Sequence, residues 1–272
     1  MSALVAAELL KVARQRGAFF WGFLALPAFA TLVAFALESV APTATAGGAP
    51  LSLEVHPVRS AIRALSLAGN PVAQLFFAVG AAAVFAVDYR HSTWRHLVPR
   101  RGRASLLAAK AAAYALLAAG GLALLLLGDS AASLIAPLAH GFAMTDAPPH
   151  TPAALALSFL VSWLELVALG GTVALLAVAT RSALGAILPA FLLWLAAATL
   201  EALLDVRGDS LAMLPLPTFA ADAVRSWILS GPSAPGASPA AALAGAAELA
   251  AWSAAAYGAA FALFRRQDLA AE

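Results

Sequence analysis

The chain contains no cysteine, so disulfide frameworks, thiolate metal sites and cysteine nucleophiles are excluded together. Charge is scarce as well. Only 11% of the 272 residues are Asp, Glu, Lys or Arg, against about 25% in an ordinary soluble domain. The lysines are Lys11 and Lys110 alone, and neither follows the glycines of a G-x-x-x-x-G-K-[ST] phosphate loop. An H-E-x-x-H zinc motif and a G-x-S-x-G nucleophile elbow are likewise missing. His56, His91, His96, His140 and His150 fall between the apolar runs, and His91 and His96 are spaced poorly for one helical face, so no metal site is expected. What fills the chain is apolar: 62% hydrophobic residues and a mean hydropathy of +0.88. Disorder is excluded by that excess, and an all-α integral membrane protein is expected.

Six stretches can cross a bilayer at about 20 residues per span: 19–37, 71–87, 106–127, 153–180, 183–204 and 240–264. They form a single transmembrane domain. Pro27 and Pro189 lie inside the first and fifth and predict local kinks, since each removes a helical donor. Ala44-Thr45-Ala46 would suit signal cleavage. However, the first apolar run exceeds the usual core of about 7–15 residues, so it is expected to stay as a span. Gly120, Gly121, Gly170 and Gly171 offer close helix approach.

Six spans put both termini, the loop after span two and the turn after span four on one side. That side carries Lys11, Arg14, Arg16, Arg90, Arg95, Arg100, Arg101, Arg103, Lys110, Arg181, Arg265 and Arg266, twelve of the 16 basic residues. Its acids are Glu8, Asp88, Asp268 and Glu272 of the 14 present. The positive-inside rule therefore predicts cytoplasmic termini in an inner or plasma membrane. The outer connections, 38–70, 128–152 and 205–239, are long.

Residues 3–17, within the cytoplasmic segment 1–18, predict an amphipathic helix. Leu4, Val5, Leu9 and Val12 stand opposite a polar arc of Glu8, Lys11, Arg14 and Arg16, expected to rest on membrane lipid near anionic headgroups. Two outer stretches, 51–67 and 218–229, share this mixed pattern and predict interfacial or re-entrant helices over the outer mouth. Glu165 and Glu248 fall inside the fourth and sixth spans. A carboxylate at bilayer depth is costly unless paired, protonated or facing a cavity, so both are candidates for a structural bond or a proton or substrate role. Glu201, near a span end, carries less weight.

Residues 87–114 read VDYRHSTWRHLVPRRGRASLLAAKAAAY. A span exits through Asp88, passes Ser92-Thr93, forms a short amphipathic piece Trp94-Arg95-His96-Leu97, breaks at Pro99, and restarts after Arg103 with Lys110 in the next helix. A compact basic element on the cytoplasmic face suits docking to a soluble protein with an acidic groove.

Here the chain resembles the permease subunits of type-2 ABC transporters. Their loop after the second span commonly carries an acidic residue (often Glu, here Asp88), a Gly- or Ser-Thr pair, a short helix, a turn, an Arg and a Lys entering the third span. The Glu8-x-x-Lys11 helix and the ending Phe264-Arg265-Arg266-Gln267-Asp268 agree. The resemblance implies a transport subunit with no ATPase of its own and no directly bound cofactor. ATP and magnesium would be used by separate ABC ATPase subunits, with a second permease copy or homologue alongside and no nucleic acid. It also implies a coupling helix at about 92–99, with Ser92, Thr93, Trp94, Arg95, His96, Leu97 and Arg103 docking the ATPase, braced by the N-terminal helix with Glu8, Lys11 and Arg14. The expected function is an exporter permease. The alternatives are a stand-alone ion-coupled carrier using Glu165 or Glu248, for which no inverted repeat is visible, and a membrane scaffold.

Overall fold

The computed structural model describes residues 2–40, 54–91, 93–99, 101–135, 138, 143–144, 150–207, 216–230 and 238–267. Ser92, Arg100, His140 and the Ala44-Thr45-Ala46 stretch lie outside them. Apart from a two-residue parallel pairing of Glu54–Val55 with Ala143–Met144, the described chain is helical or turn. Helix α1 (Ser2–Arg14) leads into α2 (16–40). Then come α3 (Pro57–Ser66), α4 (Pro71–Phe85) and the short α5 (Val87–Arg90) and α6 (Trp94–Leu97). The long α7 (Arg103–Ser133), α8 (Pro152–Thr180) and α9 (Ala183–Arg207) follow, and α10 (Pro217–Ser230) and α11 (Pro239–Arg266) complete the bundle.

Several starts use one device. Asn70, Thr151 and Ser238 each accept a hydrogen bond from a backbone N–H two or three residues on, at 2.9, 3.1 and 3.0 Å. A proline follows each of them, where its missing donor costs nothing. The stop of α8 is different: Arg181 adopts φ 54°, a left-handed cap seldom taken by a side chain larger than glycine or asparagine. That conformation reverses the chain in two residues, and the Gly185 amide finds the Ser182 hydroxyl at 3.3 Å to open α9.

Five helices are long and apolar enough to cross a membrane: 16–38 in α2, α7, α8, 183–204 in α9, and α11. The second expected span differs from the reading of 71–87. Helix α4 is 15 residues long and stops at Phe85, about 22 Å at helical rise. It meets the Pro57–Gly69 segment at a 65° bend, and the two make a sixth span only if taken together. The kink expected at Pro27 is absorbed one turn earlier, by a π-helical stretch at Phe20–Leu24. Proline cannot donate to the carbonyl four residues back and crowds it, and a wider turn takes up the mismatch.

Helix α8 is the axis of the bundle: 61% of its most apolar window is buried, against 22% for those of α2, α9 and α11. Around it an aromatic pile links Phe23, Phe77, Tyr114, Phe85 and Tyr257 at centroid spacings of 6.1–6.4 Å. The Tyr114 hydroxyl donates to the Leu166 carbonyl at 3.0 Å. Such a bond is needed where no water reaches a buried phenol. A smaller apolar cluster joins Ile62 of α3 and Val161 of α8 to Ala221, Val224 and Ile228 of α10 and Leu249 of α11. The two amphipathic stretches expected at 51–67 and 218–229 are thus the helices α3 and α10, folded onto one end of the bundle; residues 51–53 of the first lie outside the described set. The helix α1, the end of α11, the described parts of the 86–102 connector and the end of α8 gather at the opposite end, the terminal end.

Backbones of α2 and α4 cross at Gly22 and Gly80, where a Cβ on Gly22 would stand 2.7 Å from the Gly80 nitrogen. A Cβ on Gly120 would meet nothing within 4 Å. Gly22→Ala is therefore expected to destabilise the protein by about 1–3 kcal/mol through overpacking. Gly120→Ala should be neutral or stabilising by up to about 1 kcal/mol. Thermal unfolding of the purified variants decides, and the reverse ranking would refute this crossing.

Candidate functional site

At the terminal end four charges from three distant segments meet. Glu8 and Lys11 lie on α1, Asp88 on α5 and Lys110 on α7. The Lys110 ammonium reaches Glu8 Oε2 at 2.9 Å and Asp88 Oδ2 at 2.6 Å. Lys11 reaches Glu8 Oε1 at 2.6 Å and Asp88 Oδ1 at 3.2 Å. Signs alternate around the ring, so each ammonium bridges both carboxylates. Lys110 spends a further proton on the Val84 carbonyl at 2.6 Å, at the point where α4 runs out of intrahelical donors. Thr93 donates to Asp88 Oδ1. Asp88 and Lys110 are 2% and 1% exposed and Glu8 is 5%, so water contributes little to their solvation. Charges buried this deeply persist only when paired and hydrogen-bonded.

This changes the reading of α1. Lys11 was expected near lipid headgroups with the other basic residues of the arc, and Glu8 on the same polar face. Instead Glu8 turns inward beside Val12, and Lys11 follows it onto Asp88. Arg14 and Arg16 stay exposed, as does apolar Leu10 at 53%. The physical reason is the pair of opposite charges waiting 77 and 102 residues away. No local periodicity can register them.

Burial by itself would raise the Asp88 carboxyl, but the Lys110 ammonium beside it, with Thr93 and Lys11, holds it below the usual carboxylate range. Burial would likewise lower Lys11, yet Glu8 and Asp88 hold it above the usual lysine range.

The connector is fastened at a second point. Trp94 is 2% exposed, its ring 4.6 Å from that of Phe264 and 5.6 Å from that of Tyr89. The Lys110 ammonium sits 5.4 Å over the same indole. Arg103 donates to the carbonyls of Phe264, Arg265 and Gln267 at 2.6, 2.8 and 3.0 Å, closing the C-terminus of α11 where orphan carbonyls and the helix dipole favour a cation. Gln267 accepts from the Tyr89 hydroxyl at 2.9 Å and donates to the Val178 carbonyl at 2.6 Å.

Trp94 and Arg103 were expected to face a partner; both point into their own bundle, because an indole gains by burial and a guanidinium by capping a helix. Thr93 is engaged with Asp88. Leu97 is half-buried against the core. Arg95 and His96 belong to α6, but their side chains, like Ser92 as a whole, are outside the described set. What the connector turns outward is a different group: Arg90, His91, Pro99 and Arg101 are exposed.

The intramembrane carboxylates are separated. Glu165 on α8 is fully buried, ion-paired with Arg225 of α10, and accepts from Gln74 of α4 at 3.1 Å. Arg225 also holds Asp222 at 2.8 Å. Glu248 is partly exposed on α11, and its Oε1 has no partner among the described residues. Sequence reasoning gave no site role to Arg225 or Gln74, and noted Gln267 only as part of the ending of the last span. The spacing of Ser158, Ser162 and Glu165 on one face of α8 was a signal available in the sequence; the partners sixty or more residues away were not. Among the described residues no group of His, Asp and Glu could hold a metal ion.

The fold defines a multi-pass helical membrane protein. No family model, curated protein or solved structure matches the chain.

Lys110→Met leaves two buried carboxylates facing one another and is expected to cost about 3–5 kcal/mol. Lys11→Met, at a side chain 33% exposed, should cost about 1 kcal/mol. The pH dependence follows from the signs. The depressed Asp88 contributes fully above the ordinary carboxylate value of about 4 and loses that contribution as acidity passes through its lower folded value. The raised Lys11 contributes fully below about 10.4 and loses it as pH climbs through its higher folded value. Hydrogen exchange across α1 is expected to show a protected plateau that fails at both extremes. A profile flat in acid would contradict the Asp88 anchor.

Proposed function

We propose that this chain is the permease subunit of an ABC-type exporter. It forms the translocation path, and a separate nucleotide-binding subunit, holding ATP and magnesium, supplies the work. The carrying observation is the convergence at the terminal end. Glu8, Lys11, Asp88, Thr93, Arg103 and Lys110 are among the residues on which the resemblance to type-2 ABC permeases rests; all but Arg103 are joined here by direct contacts, and Arg103 fastens the same connector to the end of α11. A force applied to the connector reaches α1, α7 and α11 through buried ion pairs and helix-capping bonds rather than through a loose loop. The absence of a phosphate-binding loop from the sequence agrees with an ATPase carried by another chain.

In this reading both termini face the cytoplasm of an inner or plasma membrane. The docking face is the outward edge of the connector, with Arg90, His91 and Arg101, while Trp94 and Arg103 transmit from behind. Apolar faces of α2 and α9, with Leu32, Leu37, Leu188 and Leu192 each more than half exposed, are open to lipid or to a second permease copy. A stand-alone ion-coupled carrier is the second reading. Glu248, enclosed on one oxygen without a partner, is the observation that favours it, whereas Glu165 is already neutralised by Arg225.

Arg90→Glu together with Arg101→Glu is expected to weaken association with the partner ATPase by about tenfold or more while leaving thermal unfolding unchanged. Trp94→Ala should lower stability first. ATPase binding that survives replacement of residues 92–103 would refute the docking assignment. Transport driven by a proton gradient in vesicles lacking any ATPase would establish the carrier instead.

A further inference from the structure

The end of the bundle away from the termini holds a cavity of about 320 Å³ between α3, α8 and α10. Its volume is at the lower limit of small-molecule sites, which run from about 300 to 1,000 Å³. Three guanidinium groups line it, those of Arg59 and Arg63 from α3 and Arg225 from α10, together with His150. No Asp or Glu is among the described lining residues.

The three arginines are not equivalent. Arg225 is already spent on Glu165 and Asp222. Arg59 and Arg63 stand one helical turn apart on the same face of α3, both exposed, and neither guanidinium makes a hydrogen bond or salt bridge among the described residues. Arg63 also borders a second cavity, with Glu38 of α2 and Asp129 of α7, and Asp129 accepts from Ser60 at 3.2 Å. Hydroxyl donors complete the wall. Ser162 is committed to the Leu65 carbonyl at 2.9 Å. Ser158, 4% exposed as a residue, also lines the cavity. Ile62 and Leu229 supply an apolar margin.

We propose that this cavity is a binding site for a phosphate-bearing head group, held by the Arg59 and Arg63 forks with Ser158 donating, while Ile62 and Leu229 cover the adjoining carbon. Paired planar guanidiniums match tetrahedral oxyanions through charge-assisted bonds. The site is complete within this chain, so it stands whether or not an ATPase docks at the other end. The head group could come from a lipid of the adjacent leaflet or from a soluble phosphate compound, and the chemistry at the arginines is the same.

The test uses the full chain in dodecyl maltoside, an uncharged detergent. One arm titrates inorganic phosphate and the other dihexanoyl phosphatidylglycerol, each followed by native mass spectrometry and thermal shift. Binding of either probe is expected, with Arg59→Gln combined with Arg63→Gln weakening it by about tenfold or more. Ser158→Ala should weaken it several-fold, and Arg14→Gln at the terminal end should leave it unchanged. Binding of phosphate itself identifies a soluble-ligand site; retention of the lipid alone identifies a head-group site. Binding by neither probe, or equal binding by the double variant with unaltered unfolding, overturns the proposal.

Discussion

The alternating ring of Glu8, Lys11, Asp88 and Lys110 is the constraint on which the terminal end depends. Glu8, Asp88 and Lys110, removed from water, would each carry a desolvation cost of several kcal/mol, and Lys11 closes the ring from the half-buried side. The ring makes that cost tolerable by giving every oxygen an ammonium and every ammonium two carboxylates. Its consequence is geometric rather than energetic. An apolar contact can slide, but a closed ring of ion pairs has one register. Helix α1, which could drift along a membrane surface, is therefore tied to the exit of α4 and the start of α7. The connector between them inherits a fixed position. The Arg103 cap and the Gln267 bridge extend that fixation to the last helix and to the end of α8.

The far end solves the same problem in another way. Glu165 lies within the apolar bundle, and its charge is met by an arginine delivered on a helix that folds back from outside. Helix α10 is held by apolar contacts at Ala221, Val224 and Ile228, so packing brings Arg225 to the carboxylate. The glycine at position 69 permits the approach, since a Cβ there would meet the Arg225 Nη1 at 2.9 Å. Arg225 is thus committed to Glu165 and Asp222, while Arg59 and Arg63 line the same cavity without an ion pair among the described residues.

Much of the architecture was legible because the bilayer imposes a coarse rule: runs of about 20 apolar residues become helices. The long helices, the tight Arg181 turn and the two amphipathic outer helices all follow from composition and breakers such as Asn70-Pro71 and Thr151-Pro152. The exceptions are informative. Helix α4 is shorter than its apolar run because Lys110 takes the Val84 carbonyl and Asp88 must reach the ring, so the helix breaks at Ala86. The π-turn before Pro27 is a second exception, because a proline in a helix announces a distortion without saying whether a kink or a wider turn takes it up. Residue types at the candidate site were legible; their directions were not. Trp94 and Glu8 face inward because of groups contributed by α11 and α7, and a single sequence does not announce such pairings.

Under the proposed permease role, the same reasoning separates what would transmit motion from what merely holds the fold. A coupling element must be stiff along the line of force and must offer its partner a surface not already consumed by the fold. In this connector the two requirements fall on different residues. Thr93, Trp94 and Arg103 are engaged internally, while Arg90, His91 and Arg101 are turned outward. Removing an internal residue would loosen the connector, so that a force applied to it is lost as slack. Reversing an outward charge would leave the handle stiff but ungripped. Stability and partner affinity should therefore respond to separate sets of substitutions. A chain in which both responded to the same residues would have its connector serving as fold alone.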